Sequence, residues 1–522
     1  MIAVLSVPLV RCSQLVSKNA RGLSSPSNPR DIGPIDRSET KLNAWTGDQP
    51  NRVHEILWKT DLNTRIEVGS AFEKRRLVIV GAGMSGLLTA HSLKTLAPIL
   101  LEQAPRLGGN SKGESVEGID YSIGAAYFAL PEENSEVAKL FTELGLYGKW
   151  QERSVDDPIV FEGKKHASIW HSDSSKKTQR LYSHLKNLYH TGIPEIPFRS
   201  ESDRQEILRW DQISLLDYLQ KQTKGPLPTR LHRFLENYCR SSFGAGVSEI
   251  SAAAGVNFLS AEFSKIAFFP GGNAAIAERL TETLVEALPE NSIRTSATVI
   301  RVEKVRDGVE VTYLDSTHTP CRILADVAVL ACPKFVVKRI LSGMEDERIE
   351  AIDSIEYRAY LVANIVLDKN IPRNFYDLFF VGDRSLNATT DVIYGGQSTD
   401  GKTTVLTLYK PYAVAGARAE LLSLTVSQGV ELFKAELQST IFPYLGLRLS
   451  DVKDLRVTRW GHPMPFPKPG MITGKQLAKV REPFQKSIFF VEQDNWCLPA
   501  FETCVSEAQY WAPLIRDALT FS

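Results

Sequence analysis

The chain has 522 residues, a formal net charge of zero and a hydrophobic fraction of 43%. This composition is typical of a globular protein with a large core, and the length predicts more than one structural unit. The balanced charge and the lack of a long basic block argue against nucleic acid as the main partner. No run approaches about eighteen consecutive apolar residues, so we expect no membrane span. The six cysteines form no CxxC pair, which disfavours a metal site and a disulfide framework.

The N-terminus leaves the location of the protein open. Residues 1–30 contain four basic residues, several serines and no acidic residue, and they include a short apolar run near the start. An organellar transit peptide, an export signal without its basic start and a disordered tail, as in a cytoplasmic protein, all fit this pattern. Residues 31–74 are polar with scattered aromatic residues, and we interpret them as an extension packed against the first domain.

The first motif is a strand that runs into a glycine-rich turn and then a helix. A buried strand is predicted over 77–80 and a helix over 87–93, with the pattern GxGxxG between them. The first glycine permits the tight turn, the second lets the backbone approach a pyrophosphate, and the third lets the helix pack on the strand. Free N–H groups at the helix start then face the negative charge. The residues that we expect at this cofactor-binding turn are Gly81, Gly83, Met84, Ser85 and Gly86.

A second apolar strand, predicted over 98–101, ends at Glu102. This acid lies about twenty residues after the first glycine, where a carboxylate should accept a ribose hydroxyl. The order of strand, glycines, helix, strand and acid predicts a dinucleotide-binding unit over residues 75–130. Two further turns rich in small residues, 106–111 and 118–127, indicate backbone that lies close to an extended ligand.

Hydrophobic periodicity gives the remaining elements in chain order. Continuous apolarity over 323–331 indicates a strand buried on both faces of a sheet. Helices are predicted over 135–144, 205–222, 229–240, 274–288, 417–441 and 502–519. Strands are predicted over 297–305, 308–314, 323–331, 360–367, 378–381, 391–394, 403–409 and 487–491.

These motifs resemble, in the same order, those of the flavin-containing amine oxidase family, which shares its FAD-binding half with protoporphyrinogen oxidase and the carotenoid desaturases. The match covers about 75–130, 265–335 and 455–520. The resemblance implies an α/β fold with a Rossmann-type FAD-binding domain assembled from discontinuous segments and an α+β substrate domain. The implied domains are 1–74 for the tail and extension, 75–130, 265–340 and 455–522 for FAD, and 131–264 and 341–454 for the substrate.

The resemblance also implies which residues contact non-covalent FAD. The first glycine motif would hold the pyrophosphate and Glu102 the adenosine ribose. A second glycine motif follows, then residues against the isoalloxazine ring, one at the adenine, one near the ribityl chain, and one at a helix start that faces flavin O2. In that order these residues are Arg106, Gly108, Gly109, Gly124, Ala125, Val299, Asp494 and Phe501.

Four positions depart from the family pattern. Asn110 replaces the arginine that usually follows the second glycine pair, and Glu492 replaces a glycine near the cofactor. Many relatives place a lysine on a central strand to hold a water at flavin N5. We align Ala363 with that lysine and expect Asn364 on the opposite face of the strand. Cys497 lacks the sequence context of covalent flavin attachment.

Three functions follow as hypotheses for a small-molecule substrate. The first is oxidation of an amine or amino acid, with hydride transfer from the C–N carbon to flavin N5, an imine product, and dioxygen as electron acceptor. The second is a desaturase or dehydrogenase acting on C–C bonds with another acceptor, which the missing lysine and the stretch from Trp460 to Pro465 favour. The third is a non-catalytic flavoprotein. Catalytic candidates are Trp460, Asn364 and Trp496, the last being a ring of the substrate cage or an ordinary core tryptophan.

Overall fold

The computed structural model describes residues 35–36, 45–48, 53–59, 72–153, 157–172, 175–193, 195–263, 265–382, 386–414 and 416–520. The N-terminal segment 1–30, with its open targeting question, and most of the 31–74 extension lie outside these ranges. Within them, no helix is long and apolar enough to cross a membrane. The five cysteines of the described residues are free thiols.

One sheet, which we call the nucleotide sheet, contains the first glycine motif. Its central strands are parallel, and three helices, Met84–Ser92, Ala274–Ala287 and Phe501–Thr520, contribute to the apolar cluster on one face. The strands lie in the order Ile293–Arg294, Ile99–Leu101, Glu73–Val80, Pro320–Leu330, Gly308–Leu314 and Thr298–Val305, with Ile488–Phe490 also paired to Pro320–Leu330.

The strand Pro320–Leu330 forms the centre of the nucleotide sheet. Val327 and Val329 pack into the cluster on one face, whereas Ala328 and Leu330 pack into the cluster on the other. The prediction of a strand buried on both faces is therefore confirmed, and the fold has the Rossmann-type architecture expected from the sequence.

A second sheet, which we call the large sheet, is mostly antiparallel. Its longest strand, Val452–Pro465, pairs with Tyr357–Leu367, so the domain boundary predicted at 455 falls inside a strand of this sheet. The strands lie in the order Lys164–His166, Ile159–Phe161, Asp377–Val381, Asp391–Gln397, Thr404–Tyr412, Tyr357–Leu367, Val452–Pro465 and Thr46–Gly47.

The remaining elements connect or cover the two sheets. Two small sheets contain Ile35–Asp36, Gly113–Val116 and Ile119–Ser122, and Phe128–Ala129, Ile266–Phe268 and Gln151–Glu152. The α-helices besides the three named above are Glu136–Glu143, Ile169–Ser172, Lys176–Thr191, Glu201–Asp211, Leu215–Gln222, Thr229–Phe243, Ala252–Ala261, Lys334–Ile340, Asp346–Asp353, Ala417–Ser423, Val426–Glu436, Phe442–Leu445 and Lys475–Arg481. Short 3-10 or π segments are Glu55–Lys59, Lys94–Leu96, Leu437–Ile441, Leu449–Asp451 and Gln493–Asn495.

Two long helices predicted from periodicity are each divided by a new N-cap. The helix expected over 205–222 ends at Asp211, and a second begins after Ser214, whose hydroxyl accepts the N–H of Asp217. The helix expected over 417–441 is broken before Thr425, which forms a capping box with Gln428. Cap residues offer the backbone a local hydrogen bond that ends one helix and starts the next, so periodicity alone overestimates helix length.

Gly86 fixes the distance between the first helix and the nucleotide sheet. A Cβ added at this position would lie 1.9 Å from the carbonyl oxygen of Gly81. Because backbone must move to relieve this clash, we expect Gly86→Ala to lower the free energy of unfolding by about 1–3 kcal/mol. Ser92→Ala, at a half-buried position of the same helix, is the matched control. Equal thermal unfolding midpoints for the two variants would contradict the prediction.

Candidate cofactor and substrate site

The first glycine turn leaves bare backbone at a helix start. Gly83 is the N-cap of the helix Met84–Ser92, and no side chain caps it. The first N–H groups of a helix have no partner within the helix, so those of Met84 and Ser85 point out of its end. Gly81 has a φ of 99°, which favours glycine, and an added Cβ there would lie 2.5 Å from the carbonyl oxygen of Ala331.

The second glycine motif, Gly108 and Gly109, packs against the first glycine motif. Gly108 pairs with Gly83, and a Cβ added at Gly109 would lie 2.9 Å from the Cα of Gly83. The Arg106 guanidinium donates to the carbonyl oxygen of Gly113 at 3.2 and 3.3 Å, which holds the loop in place. The two motifs together form a cradle without side chains that fits a dinucleotide pyrophosphate at the helix start.

Two backbone N–H groups hold the Glu102 carboxylate beside this cradle. Its Oε2 accepts the N–H of Ala82 at 2.8 Å, and its Oε1 accepts the N–H of Ala104 at 2.8 Å. A carboxylate oxygen can accept a second hydrogen bond, so both oxygens retain capacity for ribose hydroxyls. The N–H of Ala297 donates to the backbone oxygen of Glu102 at 2.8 Å, and this contact brings the buried Val299 to the same end of the sheet.

We call residues 122–125, which include the Gly124 and Ala125 predicted to lie at the isoalloxazine ring, the isoalloxazine segment. Backbone and side-chain contacts hold this segment from two sides. A Cβ added at Gly124 would lie 2.1 Å from the carbonyl oxygen of Asn110, which also accepts the N–H of Ala125 at 3.1 Å. On the other side, the Trp460 indole N–H donates to Ile123 at 2.7 Å. Trp460 is therefore adjacent to the predicted flavin position, where it orients backbone.

The closing motif contains a buried network of charges. Asp494 Oδ2 accepts the N–H of Lys334 at 3.1 Å and the hydroxyl of Tyr357. Glu492 accepts the N–H of Asp494 at 2.6 Å and pairs with the Lys334 ammonium, which also donates to Asn495 at 2.6 Å. Burial and the Asp494 charge raise the pKa of Glu492 to about 8, although the Lys334 ammonium opposes that shift. Glu492, which departs from the family pattern, is therefore paired with the buried ammonium of Lys334.

The last helix begins where the resemblance places the flavin O2 contact. Phe501 is its first residue, and the ring lies 5.9 Å from that of Phe141 in the core. The side chain is therefore structural, and only its backbone N–H is available for the predicted contact. Glu502 accepts the N–H of Ala129 at 2.8 Å, and burial raises the pKa of this carboxyl.

Trp496 has the packing of a core tryptophan, the second of its two predicted roles. It is 1% exposed, the Arg481 guanidinium lies 3.9 Å from its ring, and the indole N–H donates to Glu507 at 2.7 Å. Cys497 is also fully buried, and burial raises the pKa of its thiol. A buried thiol of raised pKa lacks the thiolate character that covalent attachment needs, which supports non-covalent FAD as a continuing prediction.

The predicted orientation of the central strand Tyr357–Leu367 is wrong by one residue. Ala363 packs into the apolar cluster that contains Phe433, away from the isoalloxazine segment. Asn364 instead faces that segment, and its amide donates to the carbonyl oxygen of Ser122 and to Thr407, both at 2.9 Å. The alternation along the strand is itself regular, because Leu361, Ala363 and Ile365 pack into that cluster while Tyr360, Val362 and Val366 pack into the cluster that contains Trp460.

Sequence reasoning missed a group of tyrosines and carboxylates that joins residues on or beside the large sheet to the loop of Ala126 and Tyr127. The Tyr376 ring stacks on Phe268 at 4.1 Å and lies 6.3 Å from the Tyr127 ring. The Tyr409 hydroxyl donates to the carbonyl oxygen of Gly124 at 2.7 Å, which joins the group to the isoalloxazine segment. We call the group the tyrosine–carboxylate pocket; its members are Tyr127, Tyr376, Tyr409, Asp377 and Asp391.

The carboxylates of this pocket are buried with few cations. Asp391 accepts hydroxyl hydrogen bonds from Ser241 at 2.8 Å and Thr390 at 2.5 Å, while Asp377 Oδ1 has no hydrogen-bond partner among the described residues. Burial raises the pKa of Asp391 to about 6. Burial, and secondarily the negative charge of Asp391, raises the pKa of Asp377 well above its usual range.

A neighbouring ion pair adds to the negative charge. The Arg153 guanidinium pairs with Asp157 at 2.5 Å and with Glu262 at 3.2 Å. Burial raises the pKa of Asp157 to about 7, against the effect of that arginine. Asp377 and Asp391 are each the first residue of an apolar strand. In the sequence this position is only weak evidence for a buried site, because strand ends often carry solvated acids.

Comparison with known proteins identifies the family of the chain. The model of the family described as flavin containing amine oxidoreductase matches residues 84–490. The oxidoreductase PigB of Serratia sp. strain ATCC 39006 is 22% identical over 494 residues, covering 80% of this chain and 72% of that protein. An L-amino-acid oxidase of Demansia vestigiata is 23% identical over 426 residues, covering 77% and 76% of the two chains.

Solved structures share the fold. Putrescine oxidase, solved as the wild type bound to putrescine, superposes with a TM-score of 0.65 at 17% identity and covers 86% of this chain and 100% of that chain. Cyclohexylamine oxidase from Brevibacterium oxydans IH-35A gives 0.63 at 16% identity, with 85% and 99% covered.

The position of Glu102 makes a prediction about cofactor affinity. Because its carboxylate is held towards the ribose site, we expect Glu102→Ala to weaken FAD binding by about 1–3 kcal/mol. Glu102→Gln should fall between, since its amide keeps only one of the two acceptor oxygens. The measurement is the dissociation constant of FAD from flavin fluorescence, with the exposed Glu133→Ala as control. Unchanged affinity in Glu102→Ala would mean that the ribose lies elsewhere.

Proposed function

Because the chain belongs to the flavin-containing amine oxidoreductase family and is an FAD-dependent oxidoreductase, we propose that it oxidises a cationic amine at the carbon next to nitrogen. FAD supplies the hydride acceptor, and the imine product hydrolyses in water. The observation that supports this function is the tyrosine–carboxylate pocket beside Gly124 and Ala125, because a buried excess of carboxylates favours a cation.

Each group of the pocket has a task in this proposal. The carboxyl groups of Asp377 and Asp391 bind the ammonium, whose positive charge favours their ionised form against the effect of burial. The rings of Tyr127 and Tyr376 bound the pocket, and their faces attract a cation. The Tyr409 hydroxyl holds the carbonyl oxygen of Gly124, so the pocket and the isoalloxazine segment keep a fixed separation.

The same charges argue against the other substrates. An amino acid carries a carboxylate that needs a cation, and the Arg153 guanidinium next to the pocket is already paired with Asp157 and Glu262. A C–C desaturase acts on an apolar chain, which would leave these acids desolvated without compensation. One argument for the desaturase alternative remains, which is the missing lysine. The strand face towards Ser122 carries Val362 and Asn364, and neither supplies the lysine that holds a water in many relatives.

A substrate screen tests the proposal. Purified protein with bound FAD is offered primary amines, diamines, amino acids and apolar polyenes, with peroxide detection in air and an artificial dye acceptor in parallel. We expect turnover with amines under at least one acceptor condition. Turnover confined to amino acids or polyenes would contradict the proposal, and turnover with the dye alone would identify an acceptor other than dioxygen.

Removing one charge from the pocket should weaken substrate binding. Asp391→Asn keeps the shape of the side chain and an oxygen for the hydroxyls of Ser241 and Thr390. The loss of a charge-assisted contact should raise KM for an amine about tenfold, with a smaller effect on kcat. The control is Asp400→Asn, which removes an exposed carboxylate from a hairpin turn of the large sheet. An unchanged KM would place the amine elsewhere.

The raised pKa values also predict a pH dependence. The carboxyl groups of Asp391 and Asp157, with pKa values of about 6 and about 7, are neutral below those values and negative above them. Affinity for an ammonium should therefore rise, and KM should fall, as pH increases from about 5.5 to about 7.5. Steady-state kinetics over this interval measures the effect. A KM that is constant, or that increases with pH, would contradict it.

A further inference from the structure

Beside the glycine cradle lies a lysine side chain, Lys112, to which the described residues offer no hydrogen-bond partner. Lys112 follows the second glycine pair, and a Cβ added at Gly108 would lie 3.5 Å from Lys112 Cγ. Gly108 in turn pairs with Gly83, the N-cap of the first helix. The stem of the lysine therefore lies beside the second glycine pair of the cradle.

Two carboxylates lie near this ammonium, and among the described residues neither forms an ion pair with it. Glu102 and Asp48 are the carboxylates that act on Lys112, and burial nevertheless lowers the pKa of the lysine. Glu102 is held by backbone N–H groups, and Asp48 accepts the N–H of Gly461 at 2.7 Å. In the described part of the chain, no hydrogen bond or ion pair engages the ammonium itself.

Other cations around the cofactor site have partners in the protein. Arg106 donates to the carbonyl oxygen of Gly113. Lys334 pairs with Glu492 and Asn495. Arg459 donates to the carbonyl oxygens of Leu421 and Leu422 at 3.4 and 3.2 Å. A pyrophosphate brings negative charge that the helix start offsets only in part, so a further cation is needed.

We propose that Lys112 binds the pyrophosphate of FAD and takes the place of the arginine that Asn110 replaces. The Asn110 amide donates to the carbonyl oxygen of Pro463 at 3.3 Å, and thus supports the Trp460 segment. Lys112 lies two residues further along the chain, close enough to Glu102 and Asp48 for both charges to act on it. An ammonium acts as a point charge towards phosphate, and its three donors need no planar geometry. This role goes beyond the proposed function and holds whichever substrate is oxidised.

The first test compares FAD release from three full-length holoproteins. Lys112→Met keeps the stem and removes the charge, Lys112→Arg keeps the charge, and Lys139→Met removes a surface ion pair with Glu136 as the control. Release is followed by flavin fluorescence after dilution. We expect Lys112→Met to bind FAD about 10- to 100-fold more weakly than the unmodified protein, and the other two variants to stay within about threefold of it. The loss of affinity with added salt should also be smaller in Lys112→Met.

The second test asks whether charge at the neighbouring position restores binding. Asn110→Arg is added to Lys112→Met, and thermal unfolding of each protein is recorded with saturating FAD. Recovery of FAD retention in the double variant supports a phosphate contact, because a packing defect at residue 112 would persist. Retention of FAD by Lys112→Met at the level of the unmodified protein overturns the proposal. A loss that Lys112→Arg shares and that Asn110→Arg leaves unrelieved also overturns it.

Discussion

The segment from Ser122 to Ala125 is the constraint on which the rest of the site depends. Its backbone is held on both sides: Asn110 accepts the N–H of Ala125, while Trp460 and Tyr409 donate to Ile123 and Gly124. The first partner belongs to the nucleotide-binding unit and the other two to the large sheet. Any shift between the two sheets must therefore break hydrogen bonds to this one segment, which keeps cofactor and substrate positions in register.

The two ends of the site have opposite electrostatic character. At the nucleotide end, a helix start and the ammonium of Lys112 favour the negative pyrophosphate. At the other end, Asp377 and Asp391 are buried, and in the proposed function they bind a cation. Buried charge is costly without compensation, so under the proposed function we expect the protein to be stabilised when both the cofactor and a cationic substrate are bound. This separation would let one chain bind an anionic cofactor beside a cationic substrate.

The sequence predicts the cofactor half better than the substrate half. Gly81, Gly83 and Glu102 form a local pattern whose spacing follows from a single strand, turn and helix, and the family match confirms the fold that it implied. The acids of the pocket have no such spacing, because Asp377 and Asp391 meet only through pairing of the large sheet. Asn364 lies on the strand face towards Ser122, because strand periodicity predicts two alternating faces without showing which of them is turned to the cofactor.

In the proposed reaction, amines deliver hydride to FAD held beside the tyrosine–carboxylate pocket. The most direct test mixes the protein with a primary amine or diamine in the absence of oxygen and follows the absorbance of the oxidised flavin. Without oxygen the reduced flavin is not reoxidised, so the experiment observes only the reduction of the flavin by the substrate. We expect rapid loss of that absorbance with amines and little change with amino acids. A flavin that no amine reduces, although dithionite reduces it fully, would contradict the account.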